Sequence, residues 1–407
     1  MSGPLKGIRV LDLSRVLAGP TSTQTLADLG AEVIKVERPG RGDDTREWAP
    51  PYVKDAEGRD TRESTYFAAA NRGKKSVTID ISCSDGQRLV RMLAQKSDVL
   101  VENYKVGDLA RHGLDYESLR KIHPGLIYCS ITGFGQTGPY AQRPGYDPVA
   151  QAMCGLMSVT GEPEDKPDTD PQRAGVAVID MITAHYVVIA VLAALFHRQQ
   201  GGTGQYIDLS LLDIGVASMT NIASAYLGAG VISQRNGGVH PSVLPSQVFR
   251  CADGYLIVAA ANDSQFIKFC EAAGRPELAR DERFSTNSAR VRNRETITPI
   301  LEAIFLQRAV QDWTEKLAKV GVPCGPIYHM DKVFEDPQVR ARGMKFEMPY
   351  APSGTLAMVA NPIRMSETPP VYELPPPLLG EHTDEVLTEV LGLSREECER
   401  LRVAGAI

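Results

Sequence analysis

Hydrophobic residues in the first half of the chain fall in short runs that alternate with amphipathic stretches. Five of these runs predict buried strands, at residues 8–13, 32–37, 76–81, 98–102 and 125–131. The stretches 85–96 and 107–123 predict helices. Repeated β-α-β-α order predicts a parallel sheet covered by helices, a Rossmann-like doubly wound α/β fold. Ligands bind such sheets at the carboxyl ends of the strands.

The longest apolar segment, residues 181–196, predicts a buried helix with Asp180 at its head. A carboxylate there faces free N–H groups and the positive end of the helix dipole, so we expect it to stay ionised. Local sequence leaves two roles open for Asp180, an N-cap and a nucleophile. The apolar run 186–196 is about half of what a bilayer crossing needs, so no membrane span is expected.

The second half of the chain predicts a smaller unit set off by irregular segments. Residues 228–246 are rich in Gly, Ser and Pro, and Asp253-Gly254 marks a hairpin. The predicted organisation is a large domain at 1–200, a linker helix at 201–227, a small α+β domain at 228–327, an extended linker at 328–380 and C-terminal helices at 381–407 that return to the large domain.

Composition narrows the class of protein. With 43% hydrophobic and 23% charged residues, the 407-residue chain is typical of soluble globular proteins with more than one domain. A net charge of −6 without a basic block argues against nucleic acid as a partner. The seven cysteines are scattered and form no C-x-x-C pair, which favours reduced thiols in the cytoplasm and argues against a metal site. Residues 1–7 lack the features of a signal peptide.

Known phosphate and nucleophile motifs are missing from the sequence. The first βα turn, 13–20, has no G-x-G-x-x-G, and the chain has no G-x-x-x-x-G-K-[ST], G-x-S-x-G or H-E-x-x-H. Basic residues nevertheless stand near predicted strand and helix ends, at Arg38, Arg72, Lys74, Lys75, Lys105 and Arg111. Together they predict a polyphosphate ligand across the carboxyl edge of the sheet. For Arg38, an adenosine phosphate partner and a solvated strand-end charge both remain open.

A second candidate site is the glycine-rich stretch 133–148, where Asp147 precedes a predicted helix at 149–157. Asp147 could be a helix cap as well as a functional carboxylate. This stretch begins a series of motifs, 145–152, 160–161, 175–180 and 203–213, that resembles the signature region of the class III CoA-transferases, the CaiB/BaiF family that includes formyl-CoA transferase. The resemblance extends from residues 5–12 to 377–383, and segments 321–327 and 333–339 look similar to the succinate–hydroxymethylglutarate CoA-transferase branch.

The resemblance implies an aspartate nucleophile, which forms a mixed anhydride with the acyl group and then an aspartyl-CoA thioester. The matching residue is Asp180, Asp147 matches an auxiliary acid, and coenzyme A is substrate and product with no further cofactor. The positions implied to contact CoA are Leu17, Ala18, Arg38, Asn103, Tyr104, Lys105, Arg111 and Tyr146. The family also implies an interlocked homodimer, and the long linkers make this physically plausible.

The implied substrates are acyl-CoA and free carboxylic acids, with succinyl-CoA as donor to a second dicarboxylic acid. A distal carboxylate needs a cation, and Arg46 is our candidate. Leu17 stands where formyl-CoA transferase has glutamine, and the glycine-rich substrate loop of that enzyme has no clean counterpart here, with residues 236–240 as the candidate for its place. Both departures disfavour formyl or oxalyl substrates. Racemases of the family carry a His–Asp pair where Tyr146 and Asp147 stand. A racemase or isomerase, and a non-catalytic CoA-binding protein, remain the alternatives.

Overall fold

The computed structural model describes residues 3–164, 166–167 and 169–407, so Met1 and Ser2 of the N-terminal segment and Asp165 of the acid-rich loop lie outside it. The described chain forms two compact units. The first unit comprises residues 1–156, 174–224 and 340–407, and the second comprises 157–173 and 225–339. The predicted small domain, 228–327, therefore lies within the second unit, which also takes a segment from the predicted large domain.

Thirteen strands are present among the described residues. They are β1 Arg9–Asp12, β2 Glu32–Glu37, β3 Tyr52–Lys54, β4 Asp60–Ser64, β5 Lys74–Thr78, β6 Val99–Glu102, β7 Ile127–Thr132, β8 Tyr206–Ser210, β9 Ser246–Arg250, β10 Tyr255–Ala259, β11 Cys324–Pro326, β12 Lys345–Tyr350 and β13 Gly354–Val359.

The helices follow in chain order. They are α1 Ala18–Asp28, α2 Thr65–Ala70, α3 Ser84–Gln95, α4 Tyr116–Leu119, α5 Asp147–Met153, α6 Val178–Gln199, α7 Leu211–Ser218, α8 Thr220–Ala229, α9 Asp263–Ala273, α10 Glu277–Arg280, α11 Asn287–Arg292, α12 Arg294–Phe305, α13 Val310–Lys319, α14 Met330–Glu335, α15 Pro337–Ala341, α16 Thr383–Glu389 and α17 Arg395–Val403. Two 3-10 helices lie at Asp44–Glu47 and Ala110–His112.

The first unit is built on a six-stranded parallel sheet in the order β5-β2-β1-β6-β7-β8. Counted along the chain, these strands stand third, second, first, fourth, fifth and sixth, which is a doubly wound order. Neighbouring residues of one strand, such as Val10 and Leu11, enter separate hydrophobic cores because side chains alternate across the sheet. One core includes residues of α1 and α6, and the other includes residues of α3, α16 and α17. The predicted parallel sheet covered by helices is confirmed.

The sixth strand was not predicted. Residues 201–227, expected to form a linker helix, contain β8, α7 and most of α8. Residues of β8 alternate in exposure, and the strand pairs with β7 from Tyr128↔Tyr206 to Thr132↔Ser210. An edge strand with one half-exposed face has few apolar residues, so its sequence lacks the continuous run of a central parallel strand.

Two other segments differ from the prediction. The helix expected at 107–123 is interrupted at Gly113, whose left-handed φ of 63° ends the 3-10 turn, and only α4 follows. The stretch 328–380, expected to be an extended linker, contains α14, α15 and the antiparallel hairpin β12–β13. That hairpin alternates buried and exposed residues along β12, which is the period of a half-buried strand.

The central helix of the first unit is α6. By length and composition this 22-residue helix could cross a membrane, and an 18-residue window within it has a mean hydropathy of 2.1. One side of α6 packs in a hydrophobic core with the sheet through Val187, Val191 and Leu195. The other side exposes Tyr186, Ile189, Leu192 and Phe196 at helical spacing.

The second unit has its own antiparallel sheet, ordered β11-β10-β9, and its own core. Stacked rings of Phe249, Phe269 and Phe305 form the centre of that core, with centroids 4.3 and 5.5 Å apart. The fully buried Arg290 donates hydrogen bonds to the carbonyl oxygens of Leu244 and Phe284. The second unit therefore has a hydrophobic core of its own, as a separate folding unit does.

Candidate active site

Asp180 lies on the floor of a cleft of about 170 Å³ in the first unit. It is the third residue of α6, whose N-cap is Ala177, so Asp180 is not the N-cap itself. The carboxyl is half-buried, and none of the described residues donates a hydrogen bond to its oxygens. The cleft is lined by Asp180 together with backbone and side chains of segments 15–18, 103–106, 131–133 and 141–146.

Asp147 fills the N-cap role that the sequence left open for Asp180. Its Oδ1 accepts hydrogen bonds from the N–H groups of Ile179 (2.8 Å) and Asp180 (3.1 Å). Gln151 donates to Asp147 Oδ2 at 2.6 Å and accepts from the N–H of Ala174 at 2.9 Å. The expectation that Asp180 caps its own helix is therefore wrong. A carboxylate on α5, 33 residues earlier, fills this role.

The pKa of Asp180 is raised to about 7 by burial and by the nearby charge of Asp147. The prediction that Asp180 stays ionised through its place at the helix start is wrong near neutral pH. The reason is structural: Asp147 occupies N–H groups at that helix start, which would otherwise stabilise a negative charge on Asp180. Asp180 therefore changes charge in the physiological pH range.

Tyr66 on α2 is a neighbour of Asp180 that sequence reasoning missed. Burial raises the pKa of Tyr66, and the charges of Asp180 and Asp147 raise it further, which shows that its hydroxyl shares their electrostatic environment. Ser64 caps α2 by accepting from the N–H groups of Tyr66 and Phe67, and Trp48 packs edge-on at 5.2 Å. An aromatic residue in a six-residue helix carries no sequence signal that separates it from an ordinary core residue.

A second, outer cavity of about 390 Å³ adjoins the cleft, and the two share Arg15, Asp44 and Tyr104. The exposed Arg38 lines this outer cavity, and its guanidinium has no ion-pair or hydrogen-bond partner among the described residues. Of the predicted CoA contacts, Leu17, Ala18, Asn103, Lys105 and Tyr146 line the cleft, Arg38 and Arg111 line the outer cavity, and Tyr104 lines both. The structure thus brings all of these residues to two cavities that share part of their walls.

Arg46 cannot bind a substrate carboxylate as predicted. Its guanidinium makes a two-pronged contact with Glu37 (2.8 and 2.7 Å), donates to the carbonyl of Pro377 and stacks 3.6 Å over the ring of Phe67. A cation with these partners is a structural residue. The sequence could not show this because Glu37 becomes its partner only through the fold.

Three other basic residues are also occupied within the protein. Arg72 pairs with the buried Asp28, and Lys74 pairs with the fully buried Asp12. Lys75 lies between Glu32 and Glu385. The prediction that these residues help to hold a polyphosphate is therefore wrong.

Residues 236–240, the candidate for the substrate loop, lie in the second unit, where the N–H of Gly237 donates to the carbonyl of Gly161.

Comparison with known proteins adds the chemistry of relatives to this geometry. Residues 5–383 match the family model described as CoA-transferase family III. A succinate–glutarate CoA-transferase of Agrobacterium fabrum is 47% identical over 96% of this chain and 97% of its own length. The human succinyl-CoA:glutarate CoA-transferase is 44% identical over 99% of this chain and 90% of its own. The crystal structure of a CaiB/BaiF family protein from Brucella suis matches with a TM-score of 0.85 and 47% identity, covering 96% of this chain and all (100%) of that chain.

Proposed function

The chain belongs to CoA-transferase family III, and we propose that it moves coenzyme A from succinyl-CoA to glutarate or a similar dicarboxylate, with Asp180 as nucleophile. The observation that carries the role of Asp180 is its place: an unpaired carboxyl lines a cleft that shares wall residues with the cavity lined by the unpaired Arg38. The substrate pair is supported by the names of two relatives, each more than 40% identical over nearly the whole chain.

The transfer proceeds through four exchanges at Asp180. Its carboxylate attacks the thioester carbon of succinyl-CoA, the C–S bond breaks, and a mixed anhydride and CoA thiolate result. The thiolate attacks the aspartyl carbon of the anhydride, which releases succinate and leaves an aspartyl-CoA thioester. The acceptor carboxylate attacks this thioester and again forms an anhydride and thiolate. The thiolate then attacks the acceptor acyl carbon, which releases the new acyl-CoA and restores the Asp180 carboxylate.

The environment of Asp180 suits this sequence of steps. Both intermediates are activated acyl groups that water would hydrolyse, and a half-buried cleft limits the access of water. Since no described residue pairs with the carboxylate, its charge is not already neutralised by a cation when it attacks. Asp147 acts as a positioning residue, because it fixes the first N–H groups of α6 and raises the pKa of Asp180.

The two cavities give coenzyme A a path to Asp180. The free guanidinium of Arg38 fits a phosphate of the adenosine end in the outer cavity. Tyr104 lies where the cavities meet, and Leu17, Ala18 and Tyr146 line the inner part that the pantetheine arm would follow to Asp180. Coenzyme A is thus substrate and product, and the proposed chemistry needs no additional cofactor.

We also propose a cytoplasmic homodimer with interlocked chains. The exposed side of α6, with Ile189 60% and Phe196 61% exposed, is an apolar stripe of the kind that protein interfaces cover. The chain passes between its two units at residues 156/157, 173/174, 224/225 and 339/340, which provides the connecting segments that interlocking requires. Seven free cysteines support a reducing compartment.

The dimer is tested by light scattering on the pure protein, which should give twice the 44.3 kDa chain mass. A monomer that remains active contradicts the dimer.

The function is tested by incubating the protein with succinyl-CoA and a panel of mono- and dicarboxylic acids, and by identifying new CoA esters by mass. We expect glutaryl-CoA as the main product and borohydride or hydroxylamine trapping to mark Asp180. Exchange of the α-hydrogen for deuterium without CoA transfer would instead identify a racemase or isomerase. Binding of CoA without any turnover would identify a non-catalytic CoA-binding protein.

A further inference from the structure

One residue in the wall of the Asp180 cleft has an unfavourable backbone conformation. Val16, between β1 and α1, has a φ of 72°, and Thr220 is the only other non-glycine residue of the described chain with a positive φ. A β-branched residue rarely adopts this left-handed conformation because its Cβ crowds the following carbonyl oxygen. Such strain persists only where the surrounding structure enforces it, and it is often found at functional sites.

Side chains from three other segments enforce the conformation of residues 14–16. Lys35 donates from Nζ to the carbonyl of Ser14 at 2.8 Å. Asn103 accepts from the N–H of Arg15 at 2.9 Å and donates to its carbonyl at 2.7 Å. Asp43 accepts from the N–H of Val16 at 3.2 Å. The side-chain amide of Asn103, which was predicted to contact CoA, therefore hydrogen-bonds to the backbone of Arg15.

Lys35 and Asp43 form the central part of this arrangement. Their side chains are fully buried (0% exposed) and pair at 2.9 Å. Asp43 is oriented further by the N–H and hydroxyl of Thr45. A buried ion pair adds little net stability over apolar residues, but a fully hydrogen-bonded one fixes geometry. This pair contacts both ends of the strained turn, Ser14 through Lys35 and Val16 through Asp43.

We propose that the Lys35–Asp43 pair, acting through the strained Val16, positions the Leu17–Ala18 wall of the cleft for CoA transfer. Val16, Leu17 and Ala18 all line the cleft that contains Asp180. Lys35 and Asp43 are thus positioning residues, and Asn103 has the same role through Arg15. The inference rests on the proposed function, since its readout is the transfer reaction.

The test is a double-mutant cycle with Asp43→Asn and Val16→Gly. The asparagine side chain would keep the shape and an acceptor oxygen but lose the charge that holds Lys35 in place. In the Val16 background we expect Asp43→Asn to lower kcat on the order of 10²-fold, the effect of a displacement of about 1 Å in an active site. Glycine adopts the left-handed conformation without help. In the Val16→Gly background, Asp43→Asn should therefore lower kcat only by roughly threefold or less.

Val16→Ala is the matched control. It also shortens the side chain, but alanine remains strained at this φ, so the large loss from Asp43→Asn should persist in that background. Equal losses in the Val16 and Val16→Gly backgrounds, or equal rescue by alanine and glycine, would overturn the proposal. Thermal unfolding of each variant establishes that it is folded.

If Asp43→Asn does not fold, Asn103→Ala enters the same cycle, because Asn103 is only partly buried and holds the adjacent Arg15. A loss that shrinks in the Val16→Gly background supports the proposal, and an unchanged loss contradicts it. Failure of the two ideas can be told apart. An unaltered enzyme that transfers no CoA contradicts the proposed function, whereas an active enzyme with additive losses contradicts only the positioning role.

Discussion

Two parts of the first unit bury carboxylates in opposite ways. We call one part the charged core, and it consists of Asp12, Lys35, Glu37, Asp43, Arg46 and Lys74. Each acid there meets a cation, Asp43–Lys35 at 2.9 Å, Glu37–Arg46 at 2.7 Å and Asp12–Lys74 at 3.1 Å. The other part is the Asp180 cleft, where the proposed nucleophile has no cation among the described residues.

The difference shows in the pKa values. Burial opposes ionisation in both parts, but Lys74 and Lys35 lower the pKa of Asp12 to about 2. Burial and the like charge of Asp147 instead raise the pKa of Asp180 to about 7. Paired carboxylates are thus fixed in charge and serve structure. A buried carboxylate without a cation keeps its reactivity, at a cost in stability.

The largest expected effect is on catalysis. Asp180→Asn should lower kcat by about 10⁴-fold or more, as loss of the nucleophile does in other covalent enzymes, while the Kd for CoA changes little. Steady-state kinetics and calorimetry measure the two quantities. The control is Asp331→Asn, which alters an exposed first-turn aspartate of α14 and should leave both unchanged. Near-normal turnover of the Asp180→Asn enzyme would show that the unpaired carboxylate of the cleft is no more important for catalysis than the paired carboxylates of the charged core.

Substitutions in the charged core should change the free energy of unfolding. Arg46→Met leaves Glu37 buried without its main cation, and we expect a loss of about 3–5 kcal/mol in the free energy of unfolding. Combining it with Glu37→Gln should recover much of this loss, because no unpaired charge is then buried. Denaturant unfolding at one fixed protein concentration measures both. Equal stability of the single and double variants would show that Glu37 does not depend on Arg46.

The same Asp180→Asn variant should be more stable than the unaltered protein at pH 8, by at most about 4 kcal/mol. The folded-state pKa of about 7 lies above the ordinary 3.8, so ionisation of Asp180 destabilises the folded state at high pH. The gain should shrink as pH falls through 7 and vanish below about pH 3, where the carboxyl is neutral in both states. A gain that is independent of pH would contradict the burial of this charge.

The smallest effect is the pH dependence of transfer. If the Asp180 carboxylate is the nucleophile, as proposed, kcat/KM should rise roughly tenfold between pH 6 and pH 8, with a midpoint near 7. Asp147→Asn keeps an acceptor for the N–H groups of α6 but removes the neighbouring negative charge, so the midpoint should move to lower pH. An unchanged midpoint in this variant would assign the raised pKa to burial alone.

The sequence predicted those features that depend on local pattern. The strand 32–37 agrees with β2 to the residue, because a compact apolar run there ends in charged residues and proline. The helix expected from 181 begins three residues earlier, at Val178, since Asp147 supplies the cap from another helix. No local pattern contains that contact. The family motifs drew attention to Asp180 as the proposed nucleophile, but they carry no information on its charge state.

The wrong predictions for basic residues arose because the sequence does not show which acidic side chain each of them pairs with. Arg46 and Arg72 look like free cations in the sequence, yet Glu37 and Asp28 occupy them in the fold. Arg38 has the same local appearance and stays unpaired. Whether each arginine is paired depends on acidic residues that the fold brings next to it. The sequence alone therefore does not distinguish Arg38 from Arg46 and Arg72.

The return of the C-terminal helices to the first unit determines an order of events during synthesis. Ala406 is fully buried (0% exposed), and its carbonyl accepts a hydrogen bond from the N–H of Asp80, next to β5. A ribosome therefore releases the whole second unit before the residues that close this face of the sheet exist. The second unit can fold while translation continues, whereas the nascent sheet must wait with an open apolar face. We therefore expect chaperones to be needed by the first unit, which contains Asp180, more than by the second.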